Sequence, residues 1–441
     1  MSWAVDRWPL AVSPLAFLKV EFFMPSDLAV RVIRSQDADI LIVGGGLNGP
    51  ALALALAQAG FSVALIDARP QQARAEAGFD GRAYALSIAS KRLLEAIGIW
   101  PALREKAQPI LQIKASDGLA GAGASAFFLS FDHAEIEEGP MGFMVEDRHL
   151  YAAFLASIGE AGRITQISGE SVVAQEVAGD ARVTLSSGRQ LSAQLLIGCD
   201  GRGSGVALRA GIRRQGWGYG QVALVTALHH ADDHQGIAHQ YFMPGGPLAI
   251  LPLAGGHHSS IVWSEAESVA RAIQALNDAD YLAALRPRFG DFLGEIALAG
   301  ARFTYPLRLS LAEHWVADRL ALVGDAAHGV HPLAGQGLNL GLRDVAALAE
   351  VLTEAARRGE AIGQRDVLDR YERWRRFDTT ALALGIDAIN RLFSNDNPVL
   401  RAARDLGLGL VSALPGLRRR FIRQAAGLTG TVPKLMRGER V

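Results

Sequence analysis

Residues 39–49 read DILIVGGGLNG, and residues 50–60 continue PALALALAQAG. The first five are a short, β-branched, apolar run, the pattern of a strand buried on both faces as in a parallel sheet. Three consecutive glycines follow without a gap and Gly49 comes three residues after them, so the strand ends in a glycine-rich turn. Ala and Leu then alternate up to Ala59; both are strong helix formers, and alanine lets the helix lie close on a sheet until Gly60 stops it. Residues 62–66 read as a second strand, closed by Asp67. Strand, turn, helix and strand together make one βαβ unit.

Within that unit the spacing Gly44-x-Gly46-x-x-Gly49 has a chemical meaning. The first glycine permits the tight turn, the second lets a pyrophosphate approach the backbone, and the third lets helix and strand pack closely. Leu47 and Asn48 open the helix, whose free N–H groups and partial positive charge face the phosphates. Asp67 follows Gly49 by about 18 residues, where an acid binds a ribose hydroxyl and disfavours a 2′-phosphate. These residues predict a bound dinucleotide without deciding between NAD and FAD.

Composition excludes other classes. The 441 residues are 50% hydrophobic, enough for a large core, and 44 Lys+Arg against 45 Asp+Glu leave no field to gather nucleic acid. Cys199 is the single cysteine, so no intrachain disulfide forms and the cytoplasm is the expected compartment. No apolar run reaches the roughly 20 residues of a membrane-spanning helix. The greasy stretch at residues 10–23 is interrupted by Pro14, Lys19 and Glu21 and makes a poor signal peptide; residues 1–36 read as an extension, with Met24 an alternative start.

Further along, short β-rich runs between about residues 166 and 197, and again between 221 and 263, suggest an inserted antiparallel sheet. Residues 320–323 read as another buried strand, followed by a helix whose Leu338, Leu342, Val345, Ala349 and Leu352 share one face. Two more strand ends carry Gly198-Cys199-Asp200-Gly201 and Gly324-Asp325-Ala326-Ala327-His328. An Asp-Gly pair alone is an ordinary turn. Taken with the first motif, the three resemble the fingerprints of the flavoprotein aromatic hydroxylases, the family typified by p-hydroxybenzoate hydroxylase. Residues 331–344 (HPLAGQGLNLGLRD), 80–87 (DGRAYALS), 242–263 and 392–395 are similar to its ubiquinone-biosynthesis hydroxylases. Cys199 stands where that family more often has alanine and Asp67 where it often has glutamate.

The resemblance implies an α/β fold: a Rossmann-type FAD-binding domain (37–110, 145–215 and 300–385), an inserted antiparallel β-sheet substrate domain (111–144 and 216–299) and a carboxy-terminal helical region (386–441). It implies FAD held by Gly44, Gly46, Leu47, Asn48, Gly49, Asp67, Arg82, Arg148, Asp200, Gly324 and Asp325, and by Gly335, Gln336, Gly337, Leu338 and Asn339. A phenol ring would lie near Phe242, Pro252, His331 and Pro332. Asp325 would accept a hydrogen bond from the ribityl chain, and glycines 335 and 337 would let the backbone approach the ring. The implied activity is ring hydroxylation of a polyprenylated phenol through a flavin C4a-hydroperoxide, with O2 and either NAD(P)H or an electron-transfer protein as transient reductant. No catalytic side chain is implied, because the cofactor carries the difficult step.

Alternatives are a hydroxylase of a small soluble phenol and a non-catalytic flavin-binding scaffold subunit. The histidines at 229, 230, 234, 239, 257 and 258 lack any zinc spacing and predict no metal. His328 and His331 flank the third motif, as ligands or as residues that hold the loop. The tail 401–423 carries six arginines among leucines; it reads either as an amphipathic helix at the inner face of a membrane or a protein assembly, or as a helix packed on the core.

Overall fold

The computed structural model describes residues 36–71, 78–119, 123–135, 137–331, 335–393 and 415–441. Pro332, the arginines at 401 and 404, and nearly all of the amino-terminal extension lie outside the described residues.

Strand Ile40–Val43 is buried along its whole length, as its unbroken apolar sequence predicts. It forms the centre of a six-stranded sheet, ordered 316–317, 320–322, 195–198, 40–43, 63–67, 164–168. Every pairing is parallel except that of the short edge strand Val316–Ala317. Helices Asn48–Gln58 and Gln336–Arg357 cover the sheet and touch each other. In the second, Leu342, Val345, Ala349 and Leu352 are buried and Leu338 is half-buried, the face its spacing predicts.

The β-rich middle splits differently from the sequence reading. Ile164–Ser168 and Leu195–Gly198 are strands of the parallel sheet, and only Val172–Glu176, Ala181–Leu185 and Gln190–Ala193 form an antiparallel unit of their own. Four- and five-residue strands carry too little periodicity to reveal the sheet they join.

A larger sheet stands apart. Its main path runs 328–329, 303–312, 214–230, 258–266, 246–252, 237–243, 112–119, 123–132, with Ile296–Leu298 paired to Arg214–His230. It is antiparallel except between 237–243 and 112–119. Phe303–Ala312 and His328–Gly329 belong to it, so the chain leaves this sheet after residue 312, builds two strands of the six-stranded one, and returns at the end of the third motif.

The helix Arg365–Phe393 runs without a break across residue 386. The described part of the tail, helix Pro415–Ala425, packs on the core: Ile422 is 1% exposed and Arg418 pairs with Glu135 at 2.6 Å, while the arginines at 419 and 423 face solvent. No helix among the described residues is long and apolar enough to cross a membrane.

Candidate functional site

The three motifs sit at the carboxyl ends of three neighbouring strands. Val43 lies opposite Gly198, and Gly198 opposite Leu322, so each strand delivers its turn to the same edge. The ladder continues into the turns, where Cys199 N donates to Val43 O at 2.7 Å and Gly44 N to Ile66 O at 2.8 Å. In an open α/β sheet this edge is where ligands bind.

Close contacts explain several of the glycines, and Gly44 also sits at φ +116°, where a side chain would be strained. A Cβ on Gly44 would come within 2.3 Å of the Cys199 carbonyl oxygen, and one on Gly49 within 1.9 Å of the Gly44 oxygen. Gly45, which the motif leaves unspecified, lies against Asp67: a Cβ there would meet its Oδ2 at 2.1 Å. The side chain of Asn48 lodges between Gly324 and Gly341, each of which would strike its Nδ2 if it carried a Cβ. The first and third motifs therefore interlock through one amide.

Several features fit a bound dinucleotide. Helices Asn48–Gln58 and Gln336–Arg357 both begin without a side-chain cap, leaving first-turn N–H groups available. A Cβ at Gly46 or Gly337 would meet nothing within 4 Å, so the space beside both is open. Asp200 Oδ2 accepts from Val206 N at 3.0 Å, while its buried Oδ1 has no partner among the described residues. A buried acceptor left so is costly unless something else binds it.

The third motif is braced from below. Asp344, fully buried, accepts from Gly324 N at 3.1 Å, from His328 Nε2 at 2.5 Å and from Arg375 Nε at 2.9 Å. Burial would raise its carboxyl, yet His328 and Arg375 hold it below the usual carboxylate range. His328 thus holds the loop by hydrogen bonding. Arg214 clasps the same turn from the large sheet, donating to the carbonyls of Asp325, at 3.0 Å, and Ala326 and to Ser310 Oγ at 2.8 Å. Arg202 Nε donates to Asp325 Oδ2 at 3.0 Å, so this carboxylate already has a cationic partner. Arg202, Arg214 and Arg375 carry no sequence signal; each is an arginine far in sequence from what it holds.

Asn339 uses its side chain as a clamp. Its Nδ2 donates to Ala85 O and Gly335 O, and its Oδ1 accepts from Ser87 N and Ser90 Oγ. Gly335 sits at φ +62°, the left-handed turn from which helix Gln336–Arg357 departs. Arg82 is ion-paired to Asp80 at 2.7 Å and Asp147 at 3.3 Å, and Arg148 to Glu146 at 2.6 Å; both remain partly exposed.

The residues expected around the ring are spread out. Phe242 is buried, its ring 4.2 Å from that of Phe393. Phe242 pairs with Pro247, whereas Pro252 pairs with Ser259, five residues or about 17 Å further along the strand. His331 is buried edge-on to Tyr219 at 5.2 Å, and burial pushes its pKa down to about 4. Tyr219 was not anticipated. Beside it Asp387 accepts from Trp217 Nε1 at 3.0 Å and from Arg391. Of the histidine group, His230 and His234 engage both ring nitrogens within the protein.

Fold and site together define a dinucleotide-binding α/β flavoprotein with an attached antiparallel sheet. The chain belongs to the FAD binding domain family, whose pattern matches residues 37–383. It is 45% identical over 405 residues to the ubiquinone hydroxylase UbiL of Rhodospirillum rubrum, covering 91% of this chain and 93% of that one. It is 36% identical to the 3-demethoxyubiquinol 3-hydroxylase of Escherichia coli over 90% of this chain and all of the relative. Among solved structures, p-nitrophenol 4-monooxygenase PnpA from Pseudomonas putida DLL-E4 shares the fold with a TM-score of 0.75 at 18% identity, covering 89% of this chain and 98% of that one.

Proposed function

We propose that this flavoprotein monooxygenase hydroxylates the aromatic ring of a polyprenylated phenol in ubiquinone biosynthesis. The observation that carries the cofactor half of the reading is the junction of three motifs at adjacent strand ends, interlocked through Asn48. The substrate half rests on similarity to the two ubiquinone hydroxylases, spanning about nine tenths of the chain.

FAD, when bound and reduced by NAD(P)H or an electron-transfer protein, supplies the activation of O2 and the delivery of one oxygen atom to an electron-rich ring. The turn 44–49 and Asp67 would hold its adenosine and pyrophosphate half. Asp200, Asp325 and the helix start at 335–339 would face the flavin half, with Arg82 and Arg148 at its margin. The helix start places a partial positive charge where a reduced flavin carries negative charge. Asp344, Arg214 and Asn339 keep that backbone from moving, the condition for positioning a ring to within about an ångström. His331, neutral near pH 7 because of its burial, and Tyr219 close the space beside the loop against water. Phe242 would meet the apolar substrate.

Deletion of the gene followed by mass spectrometry of the accumulated quinone precursor tests this directly. An intermediate lacking one ring oxygen is expected; unchanged ubiquinone would reject the assignment. A soluble phenol that stimulates oxygen consumption as well as a prenylated one would favour the small-substrate alternative.

A further inference from the structure

Helix Arg365–Phe393 has two apolar faces, and the fold covers one of them. Inward, Ala383, Ile386 and Phe393 are buried, Phe393 and Ile386 in one cluster with Phe242. Outward, Phe377 is 79% exposed, Leu384 47% and Ile389 39%, and the alanines at 381 and 388 are exposed between them. Positions 377, 381, 384 and 388 recur at intervals of four, three and four, so they form one stripe along the helix, about 17 Å long. Most surface helices keep charges on this side.

The charges bracket the stripe instead. Arg373 lies one turn before Phe377 on the same line, Arg391 extends the line past Ala388, and Arg376 flanks it. The side chains of Arg376 and Arg391 are 46% and 60% exposed, whereas their partners Glu372 and Asp387 are tucked beneath at 10% and 11%. Asp378, at the margin, is the acid of this stretch that reaches solvent, 42% exposed. The outward face is thus apolar in the middle and basic at both ends.

A second copy of the chain is a poor occupant. A stripe about 17 Å long and one helix diameter wide offers on the order of 200 Å², against the roughly 800 Å² per partner of a stable protein interface. A bilayer needs no such area or shape match: apolar side chains sink below the headgroups and arginines meet lipid phosphates. We infer that this helix docks the enzyme on an anionic bilayer, lying in the plane of the surface with Phe377 and Leu384 inserted. The inference rests on the proposed function for its purpose, since a polyprenylated phenol resides in the membrane. The inward side of the same helix covers Phe242, so lipid and the expected substrate region lie about one helix diameter, roughly 10 Å, apart.

The test uses the FAD-loaded full chain and vesicles of phosphatidylcholine alone or mixed equally with phosphatidylglycerol. Cosedimentation should occur with the anionic vesicles and weaken with salt. Phe377→Asp/Leu384→Asp should lower binding about tenfold or more, and Arg373→Glu/Arg376→Glu should remove the preference for phosphatidylglycerol. Phe377 is 79% exposed and Leu384 47%, so flavin absorbance and melting of the aspartate variant should be unchanged. Hydroxylation of a short-tailed soluble phenol should persist in the aspartate variant, while that of a long-tailed phenol in vesicles falls with binding. No binding by the wild type, equal binding by the aspartate variant, or a change of oligomeric state with vesicle binding intact would overturn the docking. Failure of the wild type to hydroxylate either phenol rejects the functional reading instead, because the vesicle measurement stands independently.

Discussion

Replacing Asp344 by asparagine removes one negative charge from a site with no solvent access. Its two oxygens serve Gly324 N, His328 and Arg375, and Arg375 is 1% exposed. Breaking a buried pair from one side strands the other charge and costs about 3–5 kcal/mol. Asparagine still offers one acceptor, so the lower end, about 3 kcal/mol, is expected. Urea unfolding of flavin-free protein at neutral pH measures this apart from the stabilisation that bound cofactor adds. Adding Arg375→Met should recover most of the loss, because removing both partners leaves no unpaired charge. The sign with pH follows from the depressed carboxyl: its contribution is present above the unfolded pKa of about 3.9 and is lost as pH falls through the lower folded value. Wild type and variant should therefore converge in strong acid. Since Asp344 pins the Gly324 amide, the variant should also release FAD more readily, read as recovered flavin fluorescence. A cost below about 1 kcal/mol, or a double variant as unstable as the sum of its parts, would refute the bracing role.

Gly46→Ala should leave unfolding unchanged, since the new Cβ meets no protein atom within 4 Å, yet weaken FAD binding at least tenfold because the methyl takes the ligand's space; unaltered affinity would place the phosphates elsewhere. Gly49→Ala should fail in both respects, its Cβ falling 1.9 Å from the Gly44 carbonyl oxygen, and a stable yellow variant would contradict the packing described. His331, with a folded pKa of about 4 against 6.5, stabilises fully above pH 6.5 and loses that contribution as pH falls toward 4. His331→Leu should flatten the acid limb of a stability–pH curve by about 2–3 kcal/mol, and an unchanged slope would show that other groups set it. Arg214→Lys should cost about 2 kcal/mol and loosen FAD, because an ammonium cannot span Ser310 and two carbonyls as the guanidinium does; equal stability would make the clasp incidental.

The legible part of the site is the part written in contiguous residues. A strand run, a glycine turn and an alanine-rich helix constrain one another within about 30 residues, so Gly44, Gly49 and Asp67 could be placed from local chemistry. The bracing was not legible. Asp344 lies on a helix read mainly for its apolar face, and Arg375, amid residues 370–376 (RYERWRR), looks like surface charge. Only the fold shows that the two meet, 31 positions apart, beneath a turn 20 residues before Asp344. Gly45 was missed for the same reason: its need for a bare Cα comes from Asp67 on the next strand.

The long helix Arg365–Phe393 shows how one element resists a sequence boundary. Arg375 faces inward to Asp344 beneath the third motif, Ile386 and Phe393 close over Phe242, and Phe377 and Leu384 look out to solvent. A helix with one polar and one apolar side would advertise its partner through its moment. Here the buried side carries Arg375 and Asp387 while Phe377 and Leu384 are exposed, which blurs that signal, and a domain edge drawn at 386 falls inside the helix. The blurring is informative in itself. Arg375, through Asp344, and the aromatic contact of Phe393 at its end tie the turn at Gly324 and the sheet at Phe242 to one rigid rod. Displacing that rod at its outer face would therefore be felt at both the cofactor turn and the expected substrate region, which contiguous motifs alone do not connect.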